Sequence, residues 1–343
     1  MRVKGCRIEP EERLLKVVDE TPSITEAPVW DKVYPHHEYE EGVLEEIAEA
    51  VFDVLRATEL STVCVGVEGM DSTLCAVAAA EACQRYGARL VLYTVGFYPG
   101  MPTGLTHARV YRLAEFISEN YPEIPLSVGH LEVDPPHESK RELCRACGSV
   151  RFEAVLEAFP GSLVIGGANF GEAPHRASLG PFTEHEHGLE YRPLIDLALT
   201  KGHVVAGLRE AGVHFPRFEW WKNESGCGVR DLLLDEPEPD AVEETARMND
   251  VFHSALSEGG AHCGYNYDTA VVFNDGSKAY VVLIPLPWGW NAEAQRAFEG
   301  AVKALEDEGY DVEIGLPPVE PEDPPVRSVF KRARALGIIE TGW

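Results

Sequence analysis

The sequence predicts an α/β fold, a doubly wound and mostly parallel sheet followed by a smaller C-terminal α+β domain. Three observations predict it. Short apolar runs, several of them β-branched, alternate with stretches of helical apolar spacing between Thr62 and Ala211. An acidic, proline-spaced linker, Asp235-Glu-Pro-Glu-Pro-Asp240, then breaks that rhythm. Beyond it, Thr269 to Phe273 and Ala279 to Ile284 flank Asn274-Asp275-Gly276-Ser277, a strong hairpin signal.

Taken in order, residues 1–40 carry Pro22, Pro28 and Pro35 and few periodic apolar positions, which predicts an irregular arm with one strand near its start. Leu44, Ile47, Val51 and Leu55 then mark one amphipathic helix over Glu41 to Glu59. Thr62 to Val67 reads as a strand buried on both faces, and the Ala-rich run after it as a helix ending at Gly87. Arg89 to Val95 and Leu126 to Val133 are the next strands, separated by a helix from Leu105 to Tyr121. A helix from Ser149 to Phe159 leads to a fourth strand, Leu163 to Gly167. Ala168 to Gly188 reads as a polar, Gly- and His-rich connection to Tyr191-Arg192-Pro193-Leu194-Ile195, before a helix from about Lys201 to Ala211. After the linker come a helix, the hairpin, a helix capped by Asn291, a strand at Tyr310 to Leu316 and a basic terminal helix. The expected divisions are an arm and helix over 1–60, the main domain over 61–234, and a small domain of unassigned role over 241–343.

Composition narrows the function classes. Thirty basic residues stand against 57 acidic ones, a net charge of −27, which favours solubility and argues against loose nucleic-acid binding. Any RNA contact needs a local basic patch, and the densest candidate is Arg327, Lys331, Arg332 and Arg334. With neither a signal pattern nor an apolar run of spanning length, the expectation is a cytoplasmic protein without membrane partners. Eight cysteines in that setting favour metal or thiol chemistry over a disulfide framework.

The chain is organised around the strand-to-helix turn at Val67-Glu68-Gly69-Met70-Asp71-Ser72-Thr73. Gly69 permits close backbone approach, and Asp71 and Ser72 suit a helix start, where N–H groups gather at the positive end of the dipole. Such a turn is an anion site. In open α/β sheets ligands sit at the carboxyl ends of strands, so the loops after Val67, Val95 and Gly167 should converge. Cys144-Arg-Ala-Cys147 is the second anchor, flanked by Lys140, Arg141, Arg145 and Arg151. Its spacing directs two sulfurs at one point and suits a redox pair, half a zinc site or part of an iron–sulfur site. Cys227 lies in a Gly-flanked loop, Glu224-Ser-Gly-Cys-Gly-Val-Arg230, that could wrap a bulky cofactor.

Val67 to Thr73 resembles the S-G-G-x-D-S pyrophosphate loop of the PP-loop superfamily, the N-type ATP pyrophosphatases with a HUP-like domain, which split ATP between the α and β phosphates. Val67 stands where that family has Ser, and Glu68 where it has its first Gly. Cys144-x-x-Cys147-Gly148-x-x-Arg151, then Ile165-Gly166-Gly167-Ala168-Asn169, then Arg192-Pro193-Leu194 with Lys201 and a later lone Cys227, is similar to the order in its iron–sulfur-dependent tRNA 2-thiolation branch. The resemblance covers about residues 61 to 232.

The resemblance implies ATP and Mg²⁺ at Val67, Glu68, Gly69, Met70, Asp71, Ser72 and Thr73, with Gly167 and Asn169 beside them. It implies a [4Fe–4S] cluster on Cys144, Cys147 and Cys227, and catalytic roles for Asp71, Arg151 and Glu172, the last standing for the acid of the family's G-H-N-x-D-D segment. The implied activity is an ATP-dependent, AMP- and pyrophosphate-forming sulfurtransferase that acts on a tRNA base, served by a sulfur-donor or carrier protein, with a homodimer as an expected form. Two other readings stay open: an amide-forming PP-loop synthetase, and a lapsed nucleotide- or iron–sulfur-binding partner protein.

Other candidates read more simply. Cys64, Cys75 and Cys83 fall on apolar faces, where a thiol behaves as a small hydrophobe. His185-Glu-His187 could hold a metal from one face of an extended segment, but without a spaced third ligand it reads as a polar loop.

Overall fold

The structure, a computed structural model, describes residues 3–7, 41–67, 69–96, 104–133, 150–170, 180–213, 228–234, 238–261, 266–285 and 289–318. These fall into two compact units, one built from elements between residues 3 and 213 and one from elements between 228 and 318.

The first unit is built on strands β1 (Val3–Arg7), β2 (Thr62–Gly66), β3 (Arg89–Gly96), β4 (Leu126–Val133), β5 (Ser162–Ile165), β6 (Phe182–His185) and β7 (Gly188–Tyr191). They form one sheet in the order β1-β4-β3-β2-β5-β7-β6. The five central strands run parallel, and β1 and β6 add antiparallel edges. This is the doubly wound α/β arrangement the sequence predicts. Crossover helices cover both faces of such a sheet, so its inner strands read as continuous apolar runs. Val63, Cys64 and Val65 of β2, and Leu163, Val164 and Ile165 of β5, are accordingly buried.

The helices are α1 (Val43–Thr58), α2 (Met70–Tyr86), α3 (Gly104–Asn120), α4 (150–158), α5 (Pro193–Asp196) and α6 (Lys201–Glu210). Helix α2 lies across β2, β3 and β5, with α1 and α6 packed against it. Ala76, Ala78, Ala79, Ala80 and Ala82 of α2 are all fully buried. Small side chains around the helix let its neighbours approach closely, which explains why this helix lacks the polar stripe that α1 shows. Glu210 of α6 also accepts a hydrogen bond from the Leu44 N–H of α1 at 3.1 Å.

One stretch folds differently from the sequence reading. Residues 168–188 were expected as a polar connection, yet Phe182–His185 and Gly188–Tyr191 pair as an antiparallel hairpin on the edge of the sheet. The hairpin exists because β7 also pairs in parallel with β5, from Ser162↔Gly188 to Ile165↔Tyr191. That tertiary pairing supplies the ladder that local composition does not advertise.

The second unit holds α7 (Gly228–Asp231), α8 (Pro239–Glu258), β8 (Tyr267–Asn274), β9 (Ala279–Pro285), α9 (Ala292–Asp307) and β10 (Val312–Ile314). Its three strands lie in the order β10-β9-β8, so the predicted α+β character holds. The acidic linker gives way to helix sooner than expected, because Pro239 occupies the first turn of α8, where its missing N–H costs nothing. The Asn291 side chain accepts from the N–H groups of Glu293 and Ala294, the cap read from sequence. Fully buried Asn249 on α8 bonds both the N–H and the C=O of Val272, at 2.9 Å each, along β8. Among the described residues no helix is long and apolar enough to cross a membrane.

Candidate functional site

The turn between β2 and α2 is built by its own hydroxyls. Gly69, the residue before the first helical turn, is extended (φ −161°, ψ −166°) and brings no side chain to cap the helix. Ser72 Oγ lies 3.0 Å from both the N–H and the C=O of Gly69, and Thr73 Oγ1 donates to that same carbonyl at 2.8 Å. Both hydroxyls are turned inward, with Thr73 fully buried. Val67 and Met70 are buried too, which leaves Asp71, half-buried, as the charged side chain of this helix start.

The loop after β5 closes on that helix start. Asn169, only 4% exposed, points its Nδ2 at Asp71 Oδ1, 3.4 Å away. Gly167 lies so close to α2 that a Cβ there would stand 2.9 Å from the backbone N of Ser72. Gly166 is packed the other way, against Glu190, Arg192 and Phe152 of α4. The parallel strands to one side run β2, β3, β4, and those to the other run β5, β7, so the winding reverses between β2 and β5. A crevice outside the carboxyl ends of two such strands is where open α/β sheets bind ligands.

Beneath the β5 loop lies a charged network that the sequence reading did not single out. Glu190 and Arg192 are 2% and 6% exposed, and Arg192 Nη2 donates to Glu190 Oε2 at 2.5 Å. Arg192 Nη1 donates to the Gly180 carbonyl and to Thr183 Oγ1 at 2.8 and 2.9 Å, while His185 Nε2 lies 3.4 Å from Glu190 Oε2. The available signal was Gly-Leu-Glu-Tyr, in which a carboxylate sits between two apolar strand residues and two places before an arginine. That pattern only reads as a buried pair once the segment is known to be a strand.

The structure therefore brings together Asp71, Ser72, Gly167 and Asn169, with Val67, Gly69, Met70 and Thr73 forming the turn itself. Arg151 lies on α4 beside Phe152, whose ring edge comes within 3.7 Å of the Cβ position at Gly166. Glu68, Glu172, Cys144, Cys147 and Cys227 lie outside the described residues, as does the basic run from Arg327 to Arg334.

Cys64, Cys75 and Cys83 are buried thiols, outside any disulfide, in the core of the first unit. Burial first, and then the negative charge of Asp71, push the Cys75 thiol far above its ordinary range. Burial pushes Cys83 up to about 12, with Cys64 adding to the shift. Such thiols stay protonated and inert. His185 faces Glu190, and His187 is exposed in the β6–β7 turn. Among the described residues no group of three or more His, Cys, Asp or Glu side chains could hold a metal ion.

No family model matches the chain, and no curated protein matches it. Solved structures do. NAD+ synthetase from Burkholderia pseudomallei is similar over 70% of this chain and 95% of that one, at 20% identity and a TM-score of 0.36. NMN synthetase from Francisella tularensis is similar over 82% of this chain and 100% of that one, at 12% identity and a TM-score of 0.36. These are similarities of low score, and the functional reading rests on the geometry of the crevice.

Proposed function

We propose that the crevice between the β2 and β5 loops binds Mg·ATP and that the protein is an ATP-dependent enzyme forming an adenylated intermediate. The observation that carries this reading is the approach of Asn169 to Asp71 across the point where the strand winding reverses. The start of a 17-residue helix gathers partial positive charge where phosphates would lie, and Gly69 leaves its first turn without a side-chain cap. Asp71 supplies the carboxylate that would hold Mg²⁺ against the phosphates, and Asn169 fixes its orientation. Held there, Mg²⁺ would supply positive charge to offset that of the departing pyrophosphate. An acceptor oxygen attacks the α phosphorus, pyrophosphate leaves, and a second nucleophile then displaces AMP from the acceptor.

The finer reading concerns that nucleophile. The order of Cys144, Cys147 and Cys227 in sequence supports sulfide, held on a [4Fe–4S] cluster and delivered to a tRNA base. An amine would give an amide instead. Titration calorimetry with Mg·ATP, followed by product analysis with sulfide or ammonia as co-substrate, tests both levels. AMP and pyrophosphate are expected. Failure to bind Mg·ATP, binding without turnover as a lapsed nucleotide-binding partner would show, or release of ADP and phosphate overturns the reading.

A further inference from the structure

We infer that the buried Glu190–Arg192 pair is a positioning device for the crevice, acting on Asp71 through the loop that carries Asn169. This rests on the ATP-activating reading of that crevice. The geometry runs in one direct line. Glu190 Oε1 and Arg192 Cγ lie 3.0 and 3.1 Å from the position a Cβ would take at Gly166. The next residue, Gly167, faces α2, where a Cβ on it would stand 2.9 Å from the Ser72 backbone N. The peptide between them is thus held between an ion pair and a helix end: a methyl group at Gly167 would meet backbone, and one at Gly166 would require the ion pair to shift by a few tenths of an ångström. Two residues later Asn169 meets Asp71.

The same pair fastens the far end of the connection. The Phe170 N–H donates to the Leu199 carbonyl at 2.8 Å, just after Asn169. Where the chain returns, the Arg192 guanidinium holds the Gly180 carbonyl and its own backbone N–H holds the Pro181 carbonyl, each at 2.8 Å. Arg192 therefore links both borders of that connection to one rigid ladder, since Gly166 N–H also donates to the Tyr191 carbonyl at 2.8 Å. Exposure of 2% and 6% keeps water out of the pair, so its geometry is sharply defined. Neither Glu190 nor Arg192 touches substrate in this account. They set the height of the loop, and the loop sets the Asn169–Asp71 contact.

A misplacement of a catalytic group by about 1 Å can cost about 100-fold in rate, so the device is measurable. The test compares Asn169→Ala, Glu190→Gln, Gly166→Ala and the two double variants that combine Asn169→Ala with each of the others. The readouts are Mg·ATP affinity by calorimetry, AMP formation under saturating ATP, and the urea unfolding midpoint. Glu190→Gln and Gly166→Ala perturb the same contact from opposite partners, one by removing charge and the other by adding a methyl group. Each is expected to lower kcat by at least about ten-fold with a smaller effect on ATP affinity, and neither is expected to lower it further when Asn169 is already Ala. Multiplicative losses in the double variants would overturn the inference, as would unchanged kcat in a folded Gly166→Ala protein. Failure of the wild type to bind Mg·ATP would instead remove the proposed function itself.

Discussion

Asn169 Nδ2 stands 3.4 Å from Asp71 Oδ1, a contact between two residues 98 positions apart in the chain. One belongs to the loop after β5 and the other to the first turn of α2. Their meeting ties two strand ends together and fixes a carboxylate at the junction.

Asp71→Ala is expected to abolish ATP-dependent AMP formation while leaving the unfolding midpoint nearly unchanged, because Asp71 is half-buried at a turn. Asn169→Ala should lower turnover less, since the carboxylate remains and only its orientation is lost. Parallel turnover and denaturation measurements check the order. Asn169→Ala as damaging as Asp71→Ala would give Asn169 a direct role in the reaction.

Gly167→Ala should destabilise the protein by about 1–3 kcal/mol, since its methyl group meets backbone and no flexible side chain can retreat. The loop would have to lift from α2, so ATP binding should weaken as well. Urea unfolding and calorimetry measure the two effects. Wild-type ATP affinity in a folded Gly167→Ala protein would separate the loop from the nucleotide site.

Cys227→Ser is expected to lower the iron bound after anaerobic reconstitution with iron and sulfide, and to weaken the visible charge-transfer absorption. In the proposed cluster three thiolates would leave one iron open, and loss of one ligand would make it labile. Equal iron in wild type and variant would remove Cys227 from the ligand set and sulfur transfer from the function.

The second unit carries a pH test. Burial raises the Asp275 carboxyl, but hydrogen bonds from the Lys278 and Ser277 N–H groups, the Ser277 hydroxyl and Tyr280 outweigh it, and the net shift is downward. A carboxyl held below its unfolded value, about 4, contributes stability that is fully present above that pH and lost as pH falls through the lower folded value. Asp275→Asn should therefore lower stability near neutrality and flatten the acid limb of the unfolding profile, the two proteins converging as pH falls. A variant with the wild-type acid limb would show that the turn does not contribute.

How far the sequence could be read follows from where each signal is local. The β2–α2 turn was legible because strand, glycine and helix start are contiguous from Thr62 to Ser72. The Asn291 cap and the 274–277 turn were legible for the same reason. Convergence of Gly167 on the turn followed from a general rule about parallel sheets, and the close approach to Ser72 gives that rule a distance. The β6–β7 hairpin was not legible, because β7 is held by β5, and nothing between His185 and Tyr191 records that partner. Glu190 was hidden with it, and so was its pairing with Arg192, although Arg192 itself stood in the Arg192-Pro193-Leu194 motif. A charged residue declares its burial only through the strand that carries it.

The tandem Gly166-Gly167 is squeezed from two sides of the sheet at once, and this sets how the chain can drift. A strand position such as Val164 or Ile165 can exchange among several apolar letters, because a neighbouring side chain can repack around each. At 166 and 167 the neighbours are an ion pair and a helix backbone, and the permitted alphabet narrows sharply at two successive places. In a saturation library selected for any activity of the crevice, those two positions should return few letters, a short constrained word beside strand residues that are free to vary.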